Sequence, residues 1–514
     1  MFNLIQDKMK TSTHIKQFAL GLAILGANNI ANAQNVLPLS DASLIGNEQI
    51  ETPYTNVSLD NNYITEGSEA LFDAMDFQRG SQAYIWATPI VSMKSWGINE
   101  DAAYAAAGLE NFVVLQSLKE KRGVVTGNLT TPYIFTFSNL QDGAVKVEYP
   151  KGMTAGGFLD LWQRPIADLG LTGPDKGQGG SYIVVGPNDD PLKYKGQADF
   201  IYQSETNNFF IGLRILSTEK DAIKSFNKNL KLGKVDAPLK TANFIEGKDK
   251  EWSGTSPRGI EFWALLHEII NEEPVREEDK AWIAMLKPLG LEIGKPFAPT
   301  PRQEKILLEA HNMGELMLRN LQTNPRFSAP YWENTSWYKS FDFTIEQKNE
   351  TMVYLDERAV WFYEAVSSTK GMVNPTPGFG QVYMTSKRDE NGDLLRADKT
   401  YKLTIPADVP VEQFWSVTLY SENTRRPYDN GGDKIEDIGI NSRRTDLDVN
   451  KDGSIDVYIG SKKPKGVNSS NYLKTVDNNG WFIYFRLYAP KQAFFDKTFQ
   501  LSDWEVVDES QLTK

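Results

Sequence analysis

The 514-residue chain has no cysteine and only three histidines, His14, His267 and His311. Without cysteine there are no disulfides, iron–sulfur clusters, thiolate zinc sites or thiol nucleophiles. Basic excess is also missing: 55 Lys and Arg stand against 67 Asp and Glu, a net charge of −12. A chain so balanced does not suit a phosphate backbone, so no nucleic-acid partner is expected. Nor does any segment reach the ~20 consecutive apolar residues of a membrane-spanning helix. What remains is 40% hydrophobic and 24% charged, with 39 Gly and 25 Pro. That is globular composition, and the length suggests two to four domains.

Residues 1–33 read as a secretory signal peptide. Lys8, Lys10 and Lys16 form a basic end, Phe18–Ala27 an apolar core, and Ala31-Asn32-Ala33 a small-residue cleavage site before Gln34. The start is Met1 or Met9. Cleavage would leave a periplasmic or secreted protein with His267 and His311 alone. An exported protein without cysteine is held together by packing, which a long chain supplies.

Residues 34–66 are polar and suggest an extended lead-in. From Gly67 to about Leu118 apolar residues recur at helical spacing, and from Gly127 to Leu216 the period changes to two. The runs Tyr133–Phe137, Val145–Tyr149, Tyr182–Val185 and Phe209–Ile215 read as strands. Residues 256–320 are helical, with Thr300-Pro301-Arg302-Gln303 at capping-box spacing. From about Phe341 to Val507 strands return, clearest at Tyr401–Ile405, Phe414–Tyr420, Ile455–Ile459 and Trp481–Tyr488. The expected fold is mainly β with helical segments, built as two antiparallel sandwich or jelly-roll domains. Their spans are 67–250 and 331–514, and a helical linker, 251–330, joins them.

Asp448-Val-Asn450-Lys-Asp452-Gly453 matches the first half of a calcium loop, but Ile459 stands where the terminal acid belongs. A hairpin turn is the preferred reading, and Asp448, Asn450 and Asp452 are the calcium alternative. No other cofactor is expected. Gly173–Gly180 is Gly-rich but precedes a strand, which favours a turn over a phosphate cradle. Ser367-Ser-Thr-Lys370 has the S-x-x-K spacing of penicillin-binding enzymes without its companion motifs. His267-Glu268 lacks a second histidine at position 271, and both remaining histidines fall in helices. A histidine-based metal centre on the strands is therefore excluded.

Phe414–Tyr420, Thr424-Arg425, Asn450–Asp456, Asn471–Thr475, Arg486–Pro490 and Leu355–Ala359 together resemble the domain of unknown function numbered twelve-fourteen. Tyr84–Pro89, Asn128–Tyr133, Gly173–Gly177, Tyr182, Gly186-Pro187 and Arg214 resemble its usual partner, the domain numbered twelve-fifty-four. The resemblance covers about residues 50–507. It implies two β-rich domains bridged by helices, often exported from bacteria, and no settled reaction. The family pattern N-x-D-T-x-Y has Thr130 in place of its acid here.

The ligand-binding candidates are polar or aromatic groups on apolar strands: Tyr133, Arg214, Trp415, Thr418, Tyr420, Arg425, Asn471, Arg486 and Tyr488. Thr418 and Tyr420 share a strand face, as do Arg486 and Tyr488. A buried Arg needs a partner. Either a buried acid such as Asp356 or Asp456 supplies it, or the guanidinium fork awaits a ligand carboxylate or phosphate. A Tyr beside an Arg would gain acidity and could serve as a general acid. Three functions stay open: an envelope protein binding a small organic or anionic ligand, a cofactor-independent enzyme using Tyr, Arg and Asp on an organic or sugar-like substrate, and a homo-oligomeric envelope component.

Overall fold

The computed structural model describes residues 36–41, 46–217, 219–326, 328–341 and 343–512. The signal-peptide segment lies outside them. The chain forms two units, one up to Ala74 and one from Met75. In the first, the expected lead-in is a four-stranded sheet of Val36–Pro38, Gln49–Glu51, Asn56–Asp60 and Tyr63–Glu66 in chain order. Asn61 and Asn62, both at positive φ, make the tight turn between its last two strands.

The helix Ser68–Tyr104 is shorter than the apolar periodicity suggests. Ala105 and Gly108 take positive φ and end it, and the β-branched run Asn111–Leu115 becomes a strand. A short apolar run looks the same in a buried helix and a buried strand until the breakers before it are weighed.

The second unit holds two sandwiches. In the first, a six-stranded sheet runs Asn243–Glu246, Asn111–Leu115, Tyr133–Asn139, Asn208–Ile215, Thr154–Asp160, Pro165–Gly170. Facing it is a five-stranded sheet with Gly180–Val185 and Val145–Tyr149 at its centre. Most pairings are antiparallel. Val145, Val147, Tyr182 and Val184 meet Ile134, Phe158, Leu169 and Ile211 in the core between them.

Alternation leaves Phe135 and Phe210 on the far face of the six-stranded sheet, which therefore needs its own cover. The helices Ile260–Glu272 and Pro301–Thr323 supply it together with the Met75–Tyr104 part of the long helix. Trp96 sits between Phe135 and Phe210, its ring centroid 4.9 and 5.2 Å from theirs. The expected helical linker is thus a packed layer. The Thr300–Gln303 capping box is present as read.

The C-terminal sandwich pairs a five-stranded sheet, Tyr338–Lys339, Gln381–Thr385, Trp481–Pro490, Val411–Ser421, Gly439–Asn441, with a four-stranded one centred on Thr400–Ile405 and Ile455–Gly460. Val417, Leu419, Ile483 and Phe485 meet Leu403, Val457 and Ile459 inside. The fold is mainly β with helices, as expected. The helix Leu355–Glu364, which the strand periodicity did not announce, lies on the outer face of the five-stranded sheet. There Trp361 and Phe362 pack with Tyr383, Tyr420 and Tyr484.

Candidate functional site

Every residue of Trp481–Pro490 is buried, so the strand's polar side chains have protein on both sides. Odd positions enter the sandwich core. Even positions put Phe482, Tyr484, Arg486 and Tyr488 on the outer face, where Ser416 pairs opposite Arg486, Thr418 opposite Tyr484 and Tyr420 opposite Phe482. Tyr383 pairs with Arg486 from the other side.

The loop Val124–Tyr133, which leads from the short helix Leu118–Lys121 into the first sandwich, covers this face. Several of its polar atoms turn to the cluster. Arg486 Nη2 donates to Thr126 O at 3.0 Å, Tyr420 OH to Gly127 O at 2.8 Å, and Asn128 Nδ2 to Tyr488 OH at 2.9 Å. Thr130 Oγ1 lies 3.1 Å from Tyr488 OH. Lys121 Nζ donates to Leu129 O at 3.0 Å. Arg214 stands 4.6 Å over the Tyr133 ring and donates to Thr131 Oγ1. Thr126, a β-branched residue, is held at φ +42°, a strained conformation.

Arg486 is 2% exposed. The rings of Tyr383, Tyr420 and Tyr484 surround its guanidinium carbon at 5.1–5.5 Å. Its Nε and Nη1 have no hydrogen-bond partner. No carboxylate lies within 4 Å of Arg486, Arg214 or Lys121 among the described residues. The acids expected to neutralise Arg486 are engaged elsewhere: Asp356 pairs with Arg326 at 2.5 Å, and Asp456 accepts from Thr404 at 2.6 Å. Glu364 accepts from Tyr484 OH and Gln322, and Glu120 caps the N–H groups of Gln116 and Ser117.

Burial lowers the Lys121 amine to about 7; the Arg214 charge adds to this and Glu120 opposes it. Burial likewise works against the Arg486 charge, but the phenol groups of Tyr420, Tyr488, Tyr383 and Tyr133 outweigh it and the pKa rises. The Tyr383, Tyr420 and Tyr484 phenols are raised by burial, the nearby Arg486 notwithstanding. This corrects the expectation of an acidified Tyr: desolvation outweighs the cation, and these hydroxyls stay protonated.

Six sequence candidates, Tyr133, Arg214, Thr418, Tyr420, Arg486 and Tyr488, therefore lie along one seam, buried at its centre and with Tyr133 and Arg214 half-buried at its edge. Arg425 lies beside it. Its carbonyl accepts from Thr126 N, and its guanidinium sits 3.9 Å over the Tyr363 ring, lining a cavity with room for about one water beside Arg258 and Glu315. Trp415 enters the sandwich core and stacks on Phe485. Asn471 pins the turn before Ile455, donating to Asp448 O and Asp456 O and accepting from Asp448 N.

In that turn Asp452 Oδ1 accepts from Ser454 N and Oγ, Asp448 Oδ1 from Asn468, and Gly453 takes φ +86°. Ile459 is in the core. Among the described residues no three His, Asp or Glu side chains group as metal ligands. The Gly173–Gly180 loop closes on its own anion: Asp175 accepts from the N–H groups of Gly170, Gly177 and Gly179 and from Tyr182 OH.

Lys121, Thr126, Tyr383 and Tyr484 went unnoticed in the sequence. Strand alternation puts Tyr484 on the Arg486 face, a signal that was there to read. Nothing in the sequence marks Lys121 as buried.

Residues 109–234 match the family model described as Protein of unknown function (DUF1254), and residues 380–492 that described as Protein of unknown function (DUF1214). The chain carries this pair of domains, and the seam takes residues from both. None of the curated proteins matches the chain. A crystal structure of a Vibrio parahaemolyticus protein is similar at 15% identity, covering 84% of this chain and all of its own, with a TM-score of 0.48. A crystal structure of a putative uncharacterized protein from Burkholderia cenocepacia is similar at 12% identity, covering 86% of this chain and 97% of its own, with a TM-score of 0.36.

Proposed function

We propose that the chain is an exported binding protein that takes a small organic anion against Arg486. One observation carries this reading: a buried guanidinium with two unpartnered nitrogens and no acid to neutralise it. Burying a lone cation is expensive, and an incoming carboxylate or phosphate would supply the missing charge and acceptors in one fork. Arg214 and Lys121 add to the same positive field. The Tyr133 and Tyr488 hydroxyls, which accept from Asn128, can donate to the anion. The ligand reaches Arg486 only if the loop around Thr126 yields, and the strained φ there makes that segment the natural place to give.

The test is thermal unfolding of wild type and Arg486→Met against acetate, succinate, benzoate and inorganic phosphate. At least one anion is expected to raise the wild-type midpoint with concentration and to leave the variant unmoved. A wild type indifferent to all four, or a variant that responds equally, overturns the reading. Export is tested by intact mass: the mature chain begins at Gln34.

Lys121 favours a second reading, a cofactor-independent enzyme. An amine lowered to about 7 is partly neutral at physiological pH and can act as a general base. Turnover on organic and sugar-like substrates that Lys121→Met abolishes would select the enzyme over the binding protein.

A further inference from the structure

A pocket of about 200 Å³ lies between the long helix and the end of the six-stranded sheet, and shares no residue with the Arg486 seam. Met93 and Ile98 wall it on the helix side, and Phe137, Leu161 and Phe210 on the sheet side. Gly97 closes one end: a Cβ there would stand 2.9 Å from the Phe137 ring, so the bare backbone meets the ring face. Apolar cavities of 150 Å³ already bind benzene, so there is room here for one aromatic ring.

Lys94 and Asp101 frame the mouth, on the same helix face as Gly97. Lys94 is turned away to Glu272 at 2.6 Å, with Glu268 3.8 Å off. Asp160, at the sheet rim, is held by Arg164 at 2.7 Å. Asp101 forms no ion pair within 4 Å among the described residues. Its neighbour Glu100 is buried, and desolvation, reinforced by the Asp101 charge, pushes its carboxyl up to about 9. At neutral pH Glu100 is thus the neutral acid; burial raises the Asp101 carboxyl as well, opposed by its hydrogen bond with Glu100 and by the Lys94 charge. The pocket combines apolar walls with a polar rim of Ser138, Asn139 and Asn208 and, at its edge, the Asp101 carboxylate, which feels the Lys94 charge only at longer range.

We infer that this pocket is a second binding site, for a small one-ring aromatic amine whose ring sits against Phe137 and Phe210 and whose ammonium meets Asp101. The charge preference is opposite to that of the Arg486 seam, so the two sites are separable by ligand.

Saturation-transfer NMR and calorimetric titration with benzylamine, and with benzoate in parallel, test it on the full chain. Wild type is expected to bind benzylamine. Asp101→Asn should weaken that binding about tenfold, the loss of one half-buried charge contact. Ile98→Trp, which fills the mouth, should abolish it, and Arg486→Met should leave it unchanged. No saturation transfer to benzylamine in wild type overturns the site, as does undiminished binding by Ile98→Trp. Unchanged affinity in Asp101→Asn, or benzoate binding there as tightly as benzylamine, overturns the amine assignment.

Discussion

Arg164 and Arg486 are two buried guanidiniums in one chain, with opposite surroundings. Arg164 donates from Nε and Nη2 to Asp160 Oδ2 at 2.9 and 2.7 Å and reaches Glu205 at 2.7 Å. Next to it Arg276 pairs with Glu278 and Asp279 and lies 4.1 Å over Trp162. Arg164 and Arg276 thus have their acids, and the network ties the sheet rim to the helical layer; Arg358, 4.9 Å over the same Trp162, has no ion pair among the described residues, and burial lowers its pKa to about 9. Around Arg486 there are phenols and carbonyls instead, and two of its nitrogens bond to nothing. A guanidinium closed off by carboxylates is scaffold. One left open, at a seam drawn from two domains, is where a ligand's charge is wanted.

The comparison breaks most sharply under the same substitution at both places. Arg164→Met leaves Asp160 buried without its partner, and the expected loss is ~3–5 kcal/mol of unfolding free energy. Arg486→Met strands no acid and loses one hydrogen bond and its ring contacts, so its loss is expected to be clearly smaller than that of Arg164→Met. Urea unfolding of the two variants decides. Equal losses would mean that Arg486 too is scaffold.

A smaller effect sharpens the electrostatic side. The folded pKa of Lys121, about 7, is below the ~10.4 of a free lysine. Between those values the unfolded chain holds the proton and the folded chain does not, so this group makes stability rise with pH. Its penalty is complete below pH 7 and gone above the free-lysine pKa. Lys121→Met removes the penalty. Its gain over wild type should be a few kcal/mol at pH 6 and shrink steadily towards pH 10. A gain that does not change with pH would mean that Lys121 is solvated in the folded state.

The strand-borne side of the seam was legible in the sequence because alternation is local. Thr418, Tyr420, Arg486 and Tyr488 could be put on shared faces from spacing alone. That these faces meet Tyr133 and the Asn128 loop, some 360 residues away, is a matter of tertiary packing, and no periodicity encodes it. Trp415 was misplaced against that same alternation, which puts it with Val417 and Leu419 on the core face. Asn471 closes the 3-10 turn Ser469–Asn471, and no periodicity announces its bonds to the Asp448 loop. Lys121 and the helix Leu355–Glu364 were missed for a related reason: local sequence gives solvent-like expectations for a Lys, and tertiary burial overrides them.

The smallest effect concerns the Asp448–Asp456 turn, a polar region with no part in either cation site. Its carboxylates are occupied by local donors. Asp452 takes the Ser454 N–H at 3.0 Å and hydroxyl at 2.7 Å, and hydrogen bonds to Ser454 hold its carboxyl below the usual range. Calcium would have to displace those donors and find a bidentate acid where Ile459 is buried. The unfolding midpoint is therefore expected to stay put when EDTA is added and when millimolar calcium follows. Asp452→Ala removes only an exposed turn contact and should move the unfolding midpoint little. A midpoint that falls with EDTA and returns with calcium alone, but not in Asp452→Ala, would make this turn a third ligand site and would place charge-driven binding on the surface as well as in the seam.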